Sequence, residues 1–203
     1  MTTGKLIRMV VEPGKTLAVV AVLLCARASL ADHYRVPSGS MMPTIEIGDH
    51  LLVDKRAYGL RIPATQHYMV QARHAEPGDV VVLDSPVDER VLLKRVAAVA
   101  GQRVEVKDGQ LIVNGVATSF QCDATSCLER LGASADPHHI RVTGQGGATL
   151  GPVVIPQGQV LVMGDNRGES YDGRYFGFVD EGRLLGRAVG VFFRNGAPAW
   201  EKL

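Results

Sequence analysis

The chain has 203 residues, of which 46% are hydrophobic, and its formal net charge is +1. A chain of this length buries enough apolar surface to fold around its own core, which argues against a disordered or fibrous protein. A charge so close to zero leaves no long basic face, so we expect no nucleic-acid partner.

An apolar segment covers residues 16–31, and basic residues precede it: Lys5, Arg8 and Lys15. As a helix the segment would extend about 24 Å at ~1.5 Å per residue. The bilayer core is slightly thicker, at ~30 Å, so flanking basic side chains would have to snorkel. Basic residues before a membrane segment favour a cytoplasmic N-terminus. We therefore expect residues 1–15 in the cytoplasm, a transmembrane helix over 16–31, and residues 32–203 facing the periplasm or the cell exterior.

The same N-terminal residues also fit a cleavable signal peptide. A basic start and an apolar stretch are followed by small residues, including Ala26, Ala28 and Ala31, which is the usual pattern before a cleavage site. On these residues alone, the anchor and the cleaved signal peptide both stay open.

A serine-rich turn follows the apolar segment, with the sequence PSGSMMPT at residues 37–44. Proline, glycine and serine are the residues of ordinary turns, so the stretch by itself predicts a simple connection to the first strand. A serine hydroxyl becomes an effective nucleophile when a neighbouring base takes its proton. Ser38 and Ser40 therefore become candidate catalytic residues only if the chain also supplies a base.

The candidate base is Lys94, within the apolar run VLLKRVAAV at residues 91–99. Burying an ammonium without a counter-ion lowers its pKa, so a lysine on such a strand can act as a neutral base. Strand alternation points Lys94 inward and leaves Arg95 facing water. The alternative is an edge-strand lysine whose amine reaches solvent.

Strand-type periodicity dominates the rest of the chain, and the runs are separated by Gly, Pro, Asp-Gly and Asn-Gly turns. We predict strands at 80–83, 103–106, 111–113, 153–155, 160–163 and 188–193, with hairpin turns at 107–110 and 114–115. The sequence therefore predicts a mainly β fold without internal repeats.

The polar, glycine-rich stretch 136–151 is expected to be a mobile loop with no chemistry of its own. Cys122 and Cys127 can close a small disulfide loop, which an oxidising compartment permits. The alternative is a pair of free thiols. Cys25 is left over in the apolar segment and is interpreted as a small hydrophobic residue.

A third segment, residues 160–177, runs from an apolar strand into a loop rich in Asp, Asn and Arg. Alone it indicates a hairpin loop. With PSGSMMPT, PGDVVV at 77–82 and LKRV at 93–96, it resembles the conserved boxes of bacterial type I signal peptidases, in the right order over most of residues 35–193. The resemblance implies an antiparallel β-sheet catalytic core preceded by one N-terminal transmembrane helix. Residues 101–155, between the second and third of these segments, would form a smaller inserted β subdomain.

The resemblance also implies roles for individual residues. Ser40 would be the nucleophile and Lys94 the general base of a Ser/Lys dyad. Ser38 would donate its hydroxyl to the oxyanion beside the Ser40 backbone N–H, and Ser170 would orient the Lys94 amine. Supporting charges in the loop would come from two pairs: Asp165 with Arg167, and Asp172 with Arg174.

The resemblance implies that the partners are the lipid bilayer and precursor proteins bearing signal peptides, which a membrane-bound enzyme would cut after Ala-X-Ala through an acyl-enzyme. It favours the uncleaved anchor in the cytoplasmic membrane. An extended peptide could add as a strand beside the nucleophile, with alternate side chains in two shallow pockets. The apolar residues that we expect around these pockets are Pro37, Ile45, Val82 and Leu93.

Aromatic residues near the C-terminus are candidates for contact with the bilayer interface, which tryptophan favours. They are Phe192, Phe193 and Trp200. The alternative is that the two phenylalanines belong to the core.

Histidine is the rival base, because a catalytic triad is defined by geometry rather than by sequence order. Polar or turn-forming neighbours flank every histidine, so we expect surface or loop positions for His33, His50, His67, His74, His138 and His139. The cysteines lack zinc-like spacing, and we expect no metal, no cofactor and a monomer.

Two further functional hypotheses stay open. The first is a dedicated peptidase with the same dyad that matures one partner, such as a conjugative pilin; a relative of self-cleaving repressors is disfavoured by the N-terminal anchor. The second is a non-enzymatic secreted β-domain whose signal peptide has been removed.

Overall fold

The computed structural model describes residues 31–61, 68–71, 73–132, 135–144 and 146–203. The predicted cytoplasmic residues 1–15 lie outside these ranges, as does the predicted membrane helix except for Ala31. Among the described residues, no helix is both long enough and apolar enough to span a bilayer.

The described residues are mainly β, as the sequence predicts. In chain order the strands are β1 (Ala31–Arg35), β2 (His50–Asp54), β3 (Gly59–Arg61), β4 (Tyr68–Gln71), β5 (Val80–Asp84), β6 (Val91–Val99), β7 (Arg103–Lys107), β8 (Gln110–Val113), β9 (Val116–Ala117), β10 (Ser119–Phe120), β11 (Ser126–Glu129), β12 (His138–Arg141), β13 (Leu150–Val154), β14 (Gln159–Met163), β15 (Val179–Asp180), β16 (Leu184–Arg194) and β17 (Ala197–Lys202). One α-helical turn, α1, covers Gly173–Phe176, and single 3₁₀ turns cover Gly39–Met41, Arg167–Glu169 and Glu181–Arg183.

The central sheet is antiparallel and has the strand order β1-β2-β16-β5-β6-β14-β15, with β17 added to β16. β5 and β6 form a hairpin in which Val81 lies opposite Lys94. Because β6 has β5 on one side and β14 on the other, Lys94 lies on an interior strand rather than at an edge.

Strands β7 to β13, all within residues 101–155, form two small sheets with the orders β13-β7-β8-β9 and β10-β11-β12. Both predicted hairpin turns are confirmed: Asp108 and Gly109, and likewise Asn114 and Gly115, have positive φ angles of 49° to 82°. Such angles at both central residues are what the twist of a two-residue hairpin requires. Cys122 and Cys127 are joined by a disulfide.

This inserted unit packs on the central sheet. Val104 and Leu111 of the insertion share one buried cluster with Ala97 of β6 and with Leu161 and Met163 of β14. The stretch 136–151, expected to be a mobile loop, is a strand in part, because β12 lies within it and pairs with β11. That pairing satisfies backbone groups that a free loop would leave to water.

Candidate active site

Ser40 lies in the 3₁₀ turn that follows β1, and its neighbour Met41 is buried in the core. Two hydrogen bonds tie this turn to the polar loop (residues 164–174). The Asn166 N–H donates to the Ser40 carbonyl at 3.0 Å. The Asn166 side-chain amide donates to the Gly39 carbonyl at 3.1 Å. The backbone of Ser40 is therefore fixed by a segment more than a hundred residues away.

Lys94 reaches Ser40 from the interior of β6. Its Nζ donates to Ser40 Oγ at 2.8 Å and to the Leu93 carbonyl at 3.0 Å. The Lys94 side chain is buried, with 3% of the residue exposed. The alternative of a lysine that reaches solvent is therefore wrong for this position.

Burial has the largest effect on the Lys94 ammonium and lowers its pKa to about 8. The nearby carboxylates of Asp172 and Asp165 act in the opposite direction, whereas the Arg174 guanidinium lowers the pKa further. A pKa of this size leaves part of the lysine neutral near physiological pH, which a general base needs. The arrangement can thus accept a proton from the Ser40 hydroxyl.

The other two serines differ from each other. Ser38 is exposed, does not cap the following turn with its side chain, and borders the same cavity as Ser40 and Lys94. Ser170 is buried, and its hydroxyl makes no hydrogen bond of good geometry. The expected bond from Ser170 to Lys94 is therefore not formed here, although the hydroxyl is close enough to Asp172 to help lower that carboxyl's pKa.

Gly164 fits where no larger residue would. A Cβ at this position would lie 2.3 Å from Ser170 Oγ and 2.4 Å from the Ser40 carbonyl oxygen. Gly164 therefore lies between the Ser170 hydroxyl and the Ser40 backbone, where there is no room for a side chain. Gly164 lies inside the third segment, but its packing has no signature in the sequence.

The predicted pair of Asp172 and Arg174 is present. The Arg174 Nε and Nη2 donate to the two carboxylate oxygens at 2.8 and 2.9 Å. The Gly164 N–H donates to the same carboxylate at 2.9 Å. Burial alone would raise the pKa of Asp172, but these bonds and the arginine charge lower it. The pair therefore holds the polar loop from within.

The predicted pair of Asp165 and Arg167 is wrong. Asp165 accepts from Arg95 Nε at 2.9 Å and Nη2 at 2.8 Å, and from the Thr44 hydroxyl at 2.6 Å. Arg167 instead pairs with Glu129 of β11. Arg95 was expected to face water but is only 6% exposed. The inserted subdomain covers the side of β6 that simple alternation assigned to solvent, so Arg95 needs a buried partner.

A cavity of about 220 Å³ opens beside the Ser40 and Lys94 side chains. Three of the four predicted pocket residues line it: Pro37, Val82 and Leu93. Ile45 does not, because its side chain is fully buried in the core beneath the turn. The remaining walls come from Tyr34, Arg35, Val36, Ser38, Met41, Leu51, Val91 and Leu92.

The described histidines do not contact Ser40, whose hydroxyl is bonded by Lys94. His50 contacts the rings of Phe192 and Phe193, and His74 lies against Glu181. His138 was expected in a loop or at the surface, but it lies on β12 with 9% of its side chain exposed. His67 is outside the described residues. Within those residues, no cluster of three or more His, Cys, Asp and Glu side chains could hold a metal ion.

Several residues of the site were not foreseen. Thr44 and Asn166 lie inside the recognised segments, so their polar side chains were a usable signal. The role of Glu129 could not be predicted from the sequence, because its partner Arg167 is 38 residues away, in a 3₁₀ turn outside the insertion.

Comparison with known proteins agrees with this geometry. Residues 8–193 match the family model described as signal peptidase, peptidase S26. A probable signal peptidase I-2 of Synechocystis sp. is 33% identical, over 90% of this chain and 72% of its own length. Signal peptidase I T of Bacillus subtilis is 32% identical over 95% of this chain and 90% of its own length. Signal peptidase I of Pseudomonas fluorescens is 30% identical over 91% and 72%, respectively. With its Ser40 and Lys94 side chains in direct contact inside the matched region, this chain belongs to the signal peptidase family.

Proposed function

We propose that this protein is a membrane-bound serine endopeptidase that removes signal peptides from secreted precursors after Ala-X-Ala, with Ser40 and Lys94 as its catalytic dyad. The observation that carries the proposal is the 2.8 Å hydrogen bond between the buried Lys94 Nζ and Ser40 Oγ. Family membership, together with the names of the relatives, supports signal peptides as the substrate class.

In the proposed reaction, neutral Lys94 takes the Ser40 proton while Oγ attacks the scissile carbonyl. The negative charge that develops on the carbonyl oxygen is stabilised by the Ser40 backbone N–H and the Ser38 hydroxyl. Protonated Lys94 then gives its proton to the leaving amine, and an acyl-enzyme remains on Ser40. Water, deprotonated by Lys94, releases the signal peptide and regenerates the serine.

The substrate is proposed to lie extended in the cavity between residues 34–38 and 91–94. The lining by Pro37, Val82 and Leu93 gives the cavity apolar walls, which suit the apolar side chains of an Ala-X-Ala sequence. Ser170 is proposed to orient Lys94, and the support for this role is that its buried hydroxyl lies beside Gly164, which packs against the Ser40 backbone.

The N-terminal apolar segment is proposed to anchor the chain, with the catalytic domain outside the cytoplasm. The disulfide between Cys122 and Cys127 agrees with that location, since such bonds persist in oxidising compartments. Trp200, which is 64% exposed on β17, is the proposed contact with the bilayer interface.

The test is turnover of an Ala-X-Ala reporter precursor by the purified full chain. Ser40→Ala and Lys94→Arg should each abolish cleavage while circular dichroism stays unchanged, because arginine cannot act as a base at any accessible pH. Lys107→Ala, which removes an exposed lysine of the insertion, is the matched control and should cleave normally. Cleavage by folded Ser40→Ala would refute the proposal.

A further inference from the structure

A cluster of buried ionisable side chains extends from the inserted subdomain to the polar loop. Glu129 of β11 is fully buried and bonded to Arg167. His138 Nε2 lies 3.2 Å from Glu129 and 3.8 Å from Asp165. Asp165 in turn holds Arg95, the neighbour of Lys94 on β6. We call Glu129, Arg167, His138, Asp165 and Arg95 the anchor network.

Glu129 is the only carboxylate among the described residues that is paired with Arg167, a side chain that is itself 1% exposed. Burial would raise the pKa of Glu129, but Arg167 and His138 outweigh burial and lower the pKa to about 2. Glu129 is therefore charged throughout the working range. Removing its charge would leave the Arg167 guanidinium buried without a counter-ion, which proteins tolerate poorly.

Arg167 transmits this pairing to the backbone around Ser40. Its Nε donates to the Gly164 carbonyl at 3.0 Å. Gly164 is packed against the Ser40 carbonyl, and two residues later Asn166 bonds to Ser40 and Gly39. A displacement of Arg167 would therefore move the segment that fixes the Ser40 turn.

The insertion also supplies two backbone acceptors to the same loop. The Gly109 carbonyl accepts from Arg167 Nη1 at 2.8 Å, and the Gly146 carbonyl accepts from Arg174 Nη1 at 2.5 Å. Both arginines of the polar loop, Arg167 and Arg174, therefore donate a hydrogen bond to the backbone of residues 101–155. No described residue of the insertion lines the cavity, so we expect any effect of the insertion on the chemistry to act through this loop.

We propose, on the basis of the proposed function, that Glu129 is a positioning residue for the Ser40 and Lys94 pair. Glu129 holds Arg167, and Arg167 in turn keeps residues 164–166 in contact with the Ser40 turn, so that Ser40 stays aligned with Lys94. His138 Nε2 lies between the carboxylates of Glu129 and Asp165 but makes no hydrogen bond of good geometry with either. The inserted subdomain would therefore stabilise the active site through its contacts with the polar loop, without contacting the substrate.

The test compares Glu129→Gln, which keeps the side-chain shape and removes the charge, with Glu105→Gln as the matched control. Glu105 lies on β7 of the same insertion and pairs with the exposed Lys107, outside the anchor network. Glu129→Gln should lower kcat by about 10- to 100-fold with KM changed by less than about two-fold, as loss of alignment rather than of binding does. Glu105→Gln should leave both constants unchanged.

Amide hydrogen exchange gives a readout that does not depend on the reaction. Glu129→Gln should speed exchange by at least about ten-fold in peptides covering residues 39–42 and 164–170, but not in the β2–β16 region. Retained cleavage by Ser40→Ala would refute the proposed function. The exchange comparison would still show whether Glu129 holds the Ser40 turn and the polar loop in place.

A double variant, Glu129→Gln with Arg167→Met, separates positioning from stability and also serves if the single variant does not fold. Removing both charges should recover much of the lost melting temperature, because no unpaired charge stays buried. Since the bond to Gly164 is still missing, kcat should stay low. Recovery of kcat together with stability would overturn the proposal, as would a folded Glu129→Gln with wild-type kcat and exchange.

Discussion

At the scale of single residues, the side chains and backbone around Ser40 and Lys94 are in close contact, so small changes in one residue should displace its neighbours. The approach of Lys94 to Ser40 and the pair of Asp172 with Arg174 could be predicted, because the segments that contain them resemble the boxes of a known family. The partner of Asp165 could not, since Arg95 and Arg167 are both arginines near it and only the fold decides between them. Nearest in sequence was not nearest in space.

Gly164→Ala is predicted to lower kcat by roughly 10²-fold, because the added Cβ would meet Ser170 Oγ at 2.3 Å and the Ser40 carbonyl at 2.4 Å. The displaced Ser40 would no longer be aligned with Lys94. Steady-state kinetics with the reporter precursor would measure the loss. Gly151→Ala is the control, because a Cβ there meets nothing within 4 Å, and its activity should match wild type. Equal activity of both variants would show that the close packing at Gly164 is unimportant.

Ser38→Ala is predicted to lower kcat by about 10²- to 10³-fold with little change in KM, as loss of one oxyanion donor does. Its exposed hydroxyl borders the cavity and is not used to cap the following turn, so it is available to the transition state. Ser126→Ala on β11 serves as the control. A change confined to KM would mean that Ser38 only binds substrate.

At the scale of elements, β6 shows where pattern reasoning succeeds and where it stops. The run VLLKRVAAV was correctly predicted as a strand, yet its burial is nearly continuous instead of alternating from Lys94 to Ala98. Alternation assumes that one face meets solvent, whereas here the insertion packs on Ala97 and covers that face. The expectation that Arg95 faces water was therefore wrong.

Because Arg95 and Asp165 join β6 to the polar loop in the interior, breaking this pair should be costly. Asp165→Asn is predicted to destabilise the protein by about 3 kcal/mol, since it leaves a buried guanidinium without its carboxylate. Urea unfolding at neutral pH would measure the change. Asp88→Asn, at an exposed pair in the β5–β6 turn, should leave the unfolding midpoint almost unchanged. Similar midpoints for the two variants would contradict this assignment.

At the scale of the whole molecule, the insertion and the central sheet share one core cluster and one set of buried charges. Strand positions and hairpin turns could be predicted, because local periodicity and turn residues encode them. How the insertion packs could not, since contacts such as Glu129 with Arg167 have no local signature. The predicted anchor at 16–31 stays a prediction, because it lies outside the described residues.

Acid should unfold the protein earlier than its surface charges alone would suggest. Burial opposes ionisation of Glu129, Asp165 and Asp172, but arginine partners outweigh it and hold all three pKa values below their usual ranges. A carboxyl whose pKa is lowered by folding stabilises the native state above its unfolded pKa and loses that contribution as the pH falls. Urea midpoints should thus fall steeply below about pH 4.5. A flat profile down to pH 3 would contradict the role of these pairs.

Lys94 is proposed to be neutral in the working enzyme and to take the proton from Ser40. The pH dependence of kcat/KM, which reports the ionisation of the free enzyme, tests this role in wild type and in each His→Ala variant. We predict activity that rises through a single ionisation near pH 8, the lowered pKa of Lys94, in wild type and in every histidine variant. An acidic limb near ~6.5, the imidazole reference value, that disappears with one histidine substitution would contradict it.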